Sequence, residues 1–269
     1  MVMSGTISPP LLETVARRAS LIECLLEGPA DKRELESALD VSRTTVDRAV
    51  RRLSNAECIT HQDGRWEVTL LGRLAYEEYE RLTVRYEGLT TAQTLLSHLP
   101  PRTPVDGRLL VDAELLLAEP PAPHMPTARL EELLNGSDQI QGVSSVVLPK
   151  YIPLFHDRTI ERDTKTDLVL ESELVEYLWD DHAEKTRAVI ESDNGAAWCL
   201  DQKLPFGFVL IDEDTVWFAV YDEDGCLKGT IINDSPAAVT WATDMFHSYR
   251  QQAEQVSVRS QSGVTRSRR

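Results

Sequence analysis

The stretch that decides the fold is Pro29–Glu67, PADKRELESALDVSRTTVDRAVRRLSNAECITHQDGRWE. Asp31 and Glu34 have the spacing at which an N-cap side chain and a returning carboxylate satisfy each other's backbone N–H groups, which predicts the start of a short helix. Asp40 stands where the chain needs a left-handed residue, which Asp tolerates better than most. Ser42 then serves as the next N-cap. The pattern predicts two helices joined by a tight turn.

The helix that follows Ser42 has an apolar stripe at Val46, Val50 and Leu53, with the spacing i, i+4 and i+7. Its other faces are basic. After it, two alternating segments flank His61-Gln62-Asp63-Gly64, and Asp-Gly between such segments is a strong hairpin signal. Helix, turn, basic helix and hairpin in this order predict a winged helix-turn-helix at the N-terminus.

In a helix-turn-helix the second helix enters the major groove, where its first residues meet base edges and later basic residues meet phosphates. We therefore expect base contacts from the start of this helix, phosphate contacts from its end, and further contacts from the wing. The predicted DNA-binding residues are Ser42, Arg43, Thr44, Thr45 and Arg48, then Arg51 and Arg52, then His61, Gln62 and Arg65. Two other interpretations are a merely solvated basic face and a protein-binding module.

The formal net charge of −16 opposes DNA binding, since affinity comes largely from neutralised phosphates. The charge is unevenly distributed, because residues 42–56 hold four arginines against the single acid Asp47. Lysine is scarce and acidic residues are abundant, which indicates a halophilic organism. The lysines are Lys32, Lys150, Lys165, Lys185, Lys203 and Lys228.

The sequence offers no signal peptide and no apolar run long enough to span a bilayer, so we expect a cytoplasmic protein without a membrane partner. Its four cysteines, Cys24, Cys58, Cys199 and Cys226, are scattered singly. That spacing indicates neither a disulfide framework nor a zinc site, and buried reduced thiols are expected. No motif calls for a metal or a cofactor.

We expect two domains, with the DNA-binding domain and its linker helix over 1–90 and an α+β or α/β domain over 104–253. Residues 254–269 are rich in Ser and Arg and are expected to be disordered. A first helix is predicted across 11–26 and an apolar helix across 71–87. The leucines and tyrosines of the latter exceed what one small domain buries, which predicts a homodimer that reads two half-sites and that forms through this helix or through the C-terminal domain. The alternative is that the helix packs only on its own domain.

In the C-terminal half, apolar runs predict strands over 109–111, 143–148 and 167–170 and a meander over 196–200, 206–211 and 215–221, which turns into a strand over 227–232. A short helix or turn is predicted over 113–117. Longer helices are predicted over 127–134, 173–178, 181–191 and 235–252. The last begins with Ser-Pro, an N-cap followed by proline at the first helical position.

At this point the chain resembles archaeal winged-helix transcription regulators whose C-terminal half is the middle domain of methanogenesis and filament regulators. The resemblance rests on five segments together, namely Val169–Glu171, Leu174–Leu178, Leu204–Leu210, Asp222–Gly225 and Pro236–Ala242. It implies a DNA-binding regulator whose C-terminal domain senses a small-molecule effector or dimerises. The N-terminal half is also similar to the ArsR and MarR groups, but it lacks the clustered cysteines of metal-sensing members.

Catalytic motifs are absent from the C-terminal half. His182-Ala183-Glu184-Lys185 is reminiscent of phospholipase D-like enzymes, but its spacing is His-x-x-Lys and there is one copy where two are required. His156-Asp157 is isolated. Glu171, Trp198 and Phe206 could border a pocket, but a strand-end cap and two core aromatics explain them equally. The sequence therefore predicts a regulator and not an enzyme. One alternative is a winged-helix protein-interaction module attached to a ligand-binding domain, and the other is an enzyme with a regulatory DNA-binding domain.

Overall fold

The computed structural model describes residues 10–257, which divide into two compact units between Tyr86 and Glu87. The first unit holds α1 (Pro10–Ala16), α2 (Ala19–Glu27), α3 (Lys32–Leu39), α4 (Arg43–Asn55), β1 (Ile59–Gln62) and β2 (Arg65–Val68). The division falls inside the long helix α5 (Leu70–Thr91). The single helix expected across 11–26 is two helices, because Arg18 leaves the helical region with φ −133° and ψ 18°.

Both predicted caps of the helical pair are present. Asp31 accepts from the backbone N–H groups of Arg33 and Glu34, and the Glu34 carboxylate accepts from Asp31 N, which completes the capping box. Asp40 ends α3 in the left-handed conformation, with φ 50°. Ser42 caps α4 by accepting from Thr45 N. Side chains from α1 to α5 and from β1 then close one apolar core around Ile22, Leu35 and Leu53.

Strands β1 and β2 pair as an antiparallel hairpin. The turn residues Asp63 and Gly64 both have positive φ, 48° and 82°, as a two-residue turn compatible with strand twist requires. The segment before α3 adds to the hairpin, since Ala30 and Trp66 exchange both backbone hydrogen bonds, at 3.0 and 2.8 Å. The hairpin is thereby fixed to the start of α3.

The second unit is a mixed α/β domain. After α6 (Gln93–Leu96) and a 3-10 helix (Gly107–Leu110), it continues through β3 (Glu114–Leu117), α7 (Met125–Leu134), β4 (Gln139–Ser144), α8 (Tyr151–Glu161), β5 (Lys165–Glu171) and α9 (Ser172–Glu191). Then follow β6 (Gly195–Leu200), β7 (Phe206–Ile211), β8 (Thr215–Tyr221), β9 (Leu227–Asn233), α10 (Pro236–Gln252) and β10 (Glu254–Gln255).

The ten strands form the hairpin and one eight-stranded sheet of order β10-β6-β5-β4-β7-β8-β9-β3 in the described residues. Strands β4, β5 and β6 are parallel, and the others join antiparallel. Helix α10 covers one face through Trp241, Ala242 and Phe246. Helices α7 and α8 pack on the other face, as does α9.

Several element predictions for this half were wrong. Leu109 and Leu110 belong to the 3-10 helix and not to a strand, while the segment expected as a short helix or turn contains strand β3. Both runs are short and apolar, which leaves helix and strand indistinguishable by pattern. The strand expected over 143–148 lies earlier, as β4, and helix α8 was not predicted.

The predicted meander of 196–221 was also wrong. Strand β6 pairs with β5 in parallel, through a crossover by α9, so it is not next to β7. The actual meander is β7-β8-β9. The two helices expected over 173–191 are present as the two parts of α9, which are separated by a kink at His182, where φ is −136° and ψ is 29°.

The first residues of the predicted disordered tail are ordered, because Glu254 and Gln255 pair with Cys199 and Trp198 of β6. Residues 258–269 of that tail, like residues 1–9, lie outside the described part of the chain. Each of the described helices is too short or too polar to cross a lipid bilayer.

Candidate nucleic-acid interface

Helix α4 is amphipathic in the way that the sequence predicts. Its buried side chains are Val46, Ala49, Val50 and Leu53. The four arginines Arg43, Arg48, Arg51 and Arg52 are exposed, and so is Thr44. The apolar face holds the helix in the core of the first unit, so that the guanidinium groups point into solvent.

Within residues 10–257, none of these four guanidinium groups takes part in a hydrogen bond or an ion pair. Other arginines of the first unit are neutralised by nearby carboxylates, in the pairs Arg17–Glu13, Arg65–Glu34, Arg73–Glu77 and Arg81–Glu78. The exposed face of α4 therefore concentrates uncompensated positive charge on a chain of net charge −16.

Asp47, the one acid on α4, is held by Lys32 of α3. Lys32 Nζ lies 2.5 Å from Asp47 Oδ1. Lys32, mainly by this hydrogen bond, lowers the pKa of the Asp47 carboxyl below its usual value. The pairing balances the charge of Asp47 and leaves that of the arginines uncompensated. The sequence could not indicate this role of Lys32, because the pair is separated by 15 residues along the chain.

The N-terminal turn of α4 brings three hydroxyl groups together. Ser42 Oγ lies 3.0 Å from Thr44 Oγ1 and 3.0 Å from Thr45 Oγ1, while it accepts from Thr45 N at 3.4 Å. Ser42 is thus occupied as a cap, and Thr45 is half-buried. Thr44 is exposed and lies one helical turn before Arg48, on the same side of α4.

The predicted site residues of the hairpin differ in whether their side chains are free to contact DNA. His61 and Gln62 are exposed near its tip, where the His61 ring packs on Trp66 with 4.7 Å between centroids. Arg65 was expected to point outward. Instead, its Nε and Nη2 donate to Pro29 O at 2.9 and 2.7 Å, and Nη2 pairs with Glu34 Oε2 at 2.7 Å. Arg65 is therefore bound to the start of α3.

The polar and aromatic residues considered as a pocket border in the second unit have structural partners. Glu171 Oε2 accepts from Leu204 N at 3.2 Å and so fixes a loop. Trp198 Nε1 donates to Asp167 Oδ1 at 2.7 Å beneath the guanidinium of Arg250. Phe206 is a core residue stacked on Phe218.

The cysteines are free thiols. Cys58 is buried, and burial raises the pKa of its thiol, whereas Cys226 is exposed, contrary to expectation. No group of three His, Cys, Asp or Glu side chains in residues 10–257 is arranged to hold a metal ion.

Two family models match the chain, one in each unit. Residues 10–88 match the HVO_A0261 N-terminal domain, and residues 123–252 match the middle domain of the methanogenesis regulatory protein FilR1. The methanogenesis regulatory protein FilR1 of Methanothrix harundinacea (strain 6Ac) is 22% identical over 250 residues, which cover 89% of this chain and 56% of that protein. The chain thus spans about half the length of this curated relative.

Two solved structures are similar at lower levels. TrmBL2, an archaeal chromatin protein, has a TM-score of 0.43 and 17% identity, covering 93% of this chain and all of that chain. NucT from Helicobacter pylori has a TM-score of 0.41 and 10% identity over 54% of this chain and 98% of its own. TM-scores this low do not establish a common fold. By sequence, the chain joins a segment similar to the HVO_A0261 N-terminal domain to one similar to the FilR1 middle domain.

Proposed function

We propose that the protein is a DNA-binding archaeal transcription regulator whose first unit acts as a winged helix-turn-helix, with α4 in the major groove. The observation that carries the proposal is the set of four exposed arginines on the sides of α4 that face away from its apolar core, none of which has an ion-pair partner in the described residues. Positive charge so placed matches the phosphates and base edges of duplex DNA. The similarity to a methanogenesis regulatory protein supports the same class of function.

The side chains divide into three roles on this proposal. Arg43, Thr44 and Arg48, near the start of α4, face the base edges, where an arginine can bind guanine O6 and N7 in bidentate fashion. Arg51 and Arg52 face phosphates and hold the register. His61 and Gln62 approach the backbone from the wing. Ser42 and Thr45 act chiefly through the cap that fixes the first turn of α4.

Arg65 is assigned a positioning role instead of the phosphate contact expected from the sequence. Its guanidinium already bridges Pro29 O and Glu34, so a phosphate would have to compete with a carboxylate for it. It holds the hairpin against the start of α3, and with it the geometry of the wing.

We further propose that the protein is a homodimer and that it binds DNA in concentrated salt. Leu70, Leu71 and Leu74 are exposed on α5, and a symmetric pair of such helices would bury them. Two heads would then read half-sites separated by about 34 Å per helical turn of DNA. High salt weakens phosphate attraction, so the base contacts of α4 carry more of the affinity there.

The test is selection of bound duplexes from a random library by the full chain, across a range of salt concentrations. We expect enrichment of an inverted repeat. A variant with glutamine at all four α4 arginines should enrich nothing. The matched control puts glutamine at Arg17, Arg73, Arg81 and Arg85, which are exposed arginines of the same unit, and should enrich the wild-type motif. Failure of the wild type to enrich any sequence, with capture of a protein partner instead, would favour an interaction module.

A further inference from the structure

A cavity of about 150 Å³ lies inside the second unit, between the sheet and the helices α8 and α9. Strands β4 to β8 contribute to its floor, which includes the small residue Ala197 of β6. Its walls are mostly apolar side chains, including Phe155, Leu168, Leu170, Leu174, Leu178 and Val189. The small side chain of Ala197 leaves space that a larger strand residue would fill.

The size and chemistry of this space define what it can hold. A dry cavity of about 150 Å³ lined by Leu, Ile and Phe is large enough for benzene. Apolar walls favour a compact hydrocarbon body, because burial of such a body removes its surface from water. An extended polar molecule, such as a sugar or a nucleotide, would lose its hydrogen bonds to water without replacement.

The polar groups at the cavity are already occupied, with one exception. Tyr151 Oη donates to Thr127 O at 3.0 Å, and Ser144 Oγ donates to Val146 O at 2.7 Å. Thr186 Oγ1 lies 3.0 Å from both Leu178 O and His182 O. His156 Nδ1 lies 2.9 Å from Asp157 Oδ1. These groups hold protein atoms in place and are not available to a ligand without rearrangement.

The exception is Lys185, which lines the cavity from α9 and is half-buried. In the described part of the chain its ammonium group has neither a hydrogen bond nor an ion pair. Three other lysines of this unit are paired, in Lys150–Glu131, Lys203–Glu173 and Lys228–Asp222. Burial raises the pKa of Tyr221, another residue of the cavity lining, to about 12, so its phenol stays neutral and does not supply an anion for Lys185.

Helix α9 changes direction above the cavity. Its non-helical residue His182 separates the part with Leu174 and Leu178 from the part with Lys185 and Val189. The Thr186 hydroxyl reaches Leu178 O, eight residues earlier, which a straight helix would place about 12 Å along its axis. The break thereby directs both parts, with their apolar side chains, onto one space.

We infer that this cavity is a binding site for a small monocarboxylate with a compact apolar body, of the size of benzoate or isovalerate, whose carboxylate pairs with Lys185 Nζ. The site rests on the second unit alone. Its meaning as an effector site for a regulator rests on the proposed function. The His-x-x-Lys segment thus has a binding use, with the lysine as the anion ligand and the histidine at the helix break.

The test is a titration of the full chain with 4-fluorobenzoate in the absence of DNA. Binding is measured by the broadening of the fluorine NMR line and by calorimetry. Toluene and benzylamine are the probes for the apolar body alone and for the opposite charge. We expect the carboxylate to bind, benzylamine not to bind, and toluene to bind more weakly. Because DNA is absent, a failure to bind DNA leaves this result unaffected.

Substitutions at two positions distinguish the contribution of the lysine from that of the cavity. Lys185→Met should reduce the affinity for 4-fluorobenzoate at least tenfold and leave toluene binding unchanged. Lys185→Arg should still bind 4-fluorobenzoate, because the arginine keeps the positive charge. Ala197→Leu should fill the floor and abolish binding of both. The matched control is Lys203→Met, which removes an exposed lysine of the same unit and should leave all affinities unchanged. Absence of carboxylate binding to the wild type, or equal affinities for Lys185→Met and wild type, would overturn the inference.

Discussion

Arg65 of the hairpin and Glu34 of α3 form an ion pair, with Nη2 2.7 Å from Oε2. The same carboxylate oxygen accepts from Asp31 N at 2.7 Å. One side chain therefore completes the capping box of α3 and fixes the hairpin beside it. The hairpin and α3 are joined through this carboxylate, and Arg65→Ala is expected to affect folding as well as any contact with DNA.

The first prediction is a coupling energy between these two residues. Arg65→Ala, Glu34→Gln and the double variant form a cycle in which Gln at 34 keeps the cap hydrogen bond and removes the charge. Because both side chains are about half exposed, we expect coupling of only about 0.2 to 1 kcal/mol. Urea unfolding of the four proteins measures it. Additive changes would show that Arg65 does not act through Glu34.

The second prediction concerns acid unfolding. Backbone hydrogen bonds from Glu34 and then from Arg33 lower the pKa of the Asp31 carboxyl from its ordinary 3.8. Since the folded pKa lies below the unfolded one, ionised Asp31 stabilises the fold above the unfolded pKa, and this stabilisation is lost as the pH falls through the folded pKa.

Asp31→Asn retains a capping oxygen but does not titrate. As the pH falls from about 5 to about 2.5, the range in which such a carboxylate titrates, the wild type should therefore lose stabilisation that Asp31→Asn does not lose. The Tm of the wild type should fall relative to the Tm of the variant. Thermal melts by circular dichroism measure it. Asp63→Asn, at the exposed hairpin turn, is the control. A pH-independent difference for Asp31→Asn would show that its cap bonds do not favour the ionised form.

The third prediction concerns the close approach of α5 to β1. A Cβ on Gly72 would lie 2.0 Å from the backbone oxygen of Cys58. That oxygen also accepts from Thr69 N at 2.9 Å, so it cannot move freely. Gly72→Ala should lower the free energy of unfolding by about 1 to 3 kcal/mol, the usual range for overpacking. Gly107→Ala, with nothing within 4 Å of the new carbon, should have little effect in the same urea titration.

The fourth prediction concerns the oligomer. Leu74 of α5 is 46% exposed, and Leu82 of the same helix borders a groove with Leu11 and Leu12. If this face forms a symmetric seam, Leu74→Glu with Leu82→Glu introduces repulsion across it and yields monomers in light scattering at high salt. Glutamine at both Arg73 and Glu77 removes a neighbouring ion pair on α5 and should leave dimers. An unchanged dimer after the double leucine substitution would place the interface elsewhere.

The sequence predicted best those features whose chemistry is local. The Asp31 capping box, the left-handed Asp40, the Ser42 cap and the Asp63-Gly64 turn each depend on residues within four positions of one another. In such segments the side chain and the backbone group that it satisfies are neighbours in the chain. Spacing alone therefore indicates the contact.

Features set by distant residues could not be predicted in this way. The pairing of β6 with β5, and not with β7, follows from the α9 crossover, and nothing in the apolar run of β6 specifies it. The partners of Arg65 lie 31 and 36 residues away, so its position directly after the hairpin turn favoured the wrong orientation. The cavity beside Lys185 likewise requires several strands and the helices α7, α8 and α9 together.

The most direct test of DNA recognition by α4 is the salt dependence of binding to the selected duplex, measured for wild type, Arg48→Ala and Arg51→Ala. Arg48→Ala should weaken the free energy of DNA binding by about 1 to 3 kcal/mol and reduce the sequence preference at one base pair. Arg51→Ala should keep the preference and reduce the slope of log K against log salt by about 1. Arg73→Ala, on α5, is the matched control and should match wild type. Equal affinity, base preference and salt slope in all four proteins would contradict the assignment of α4 as the recognition helix.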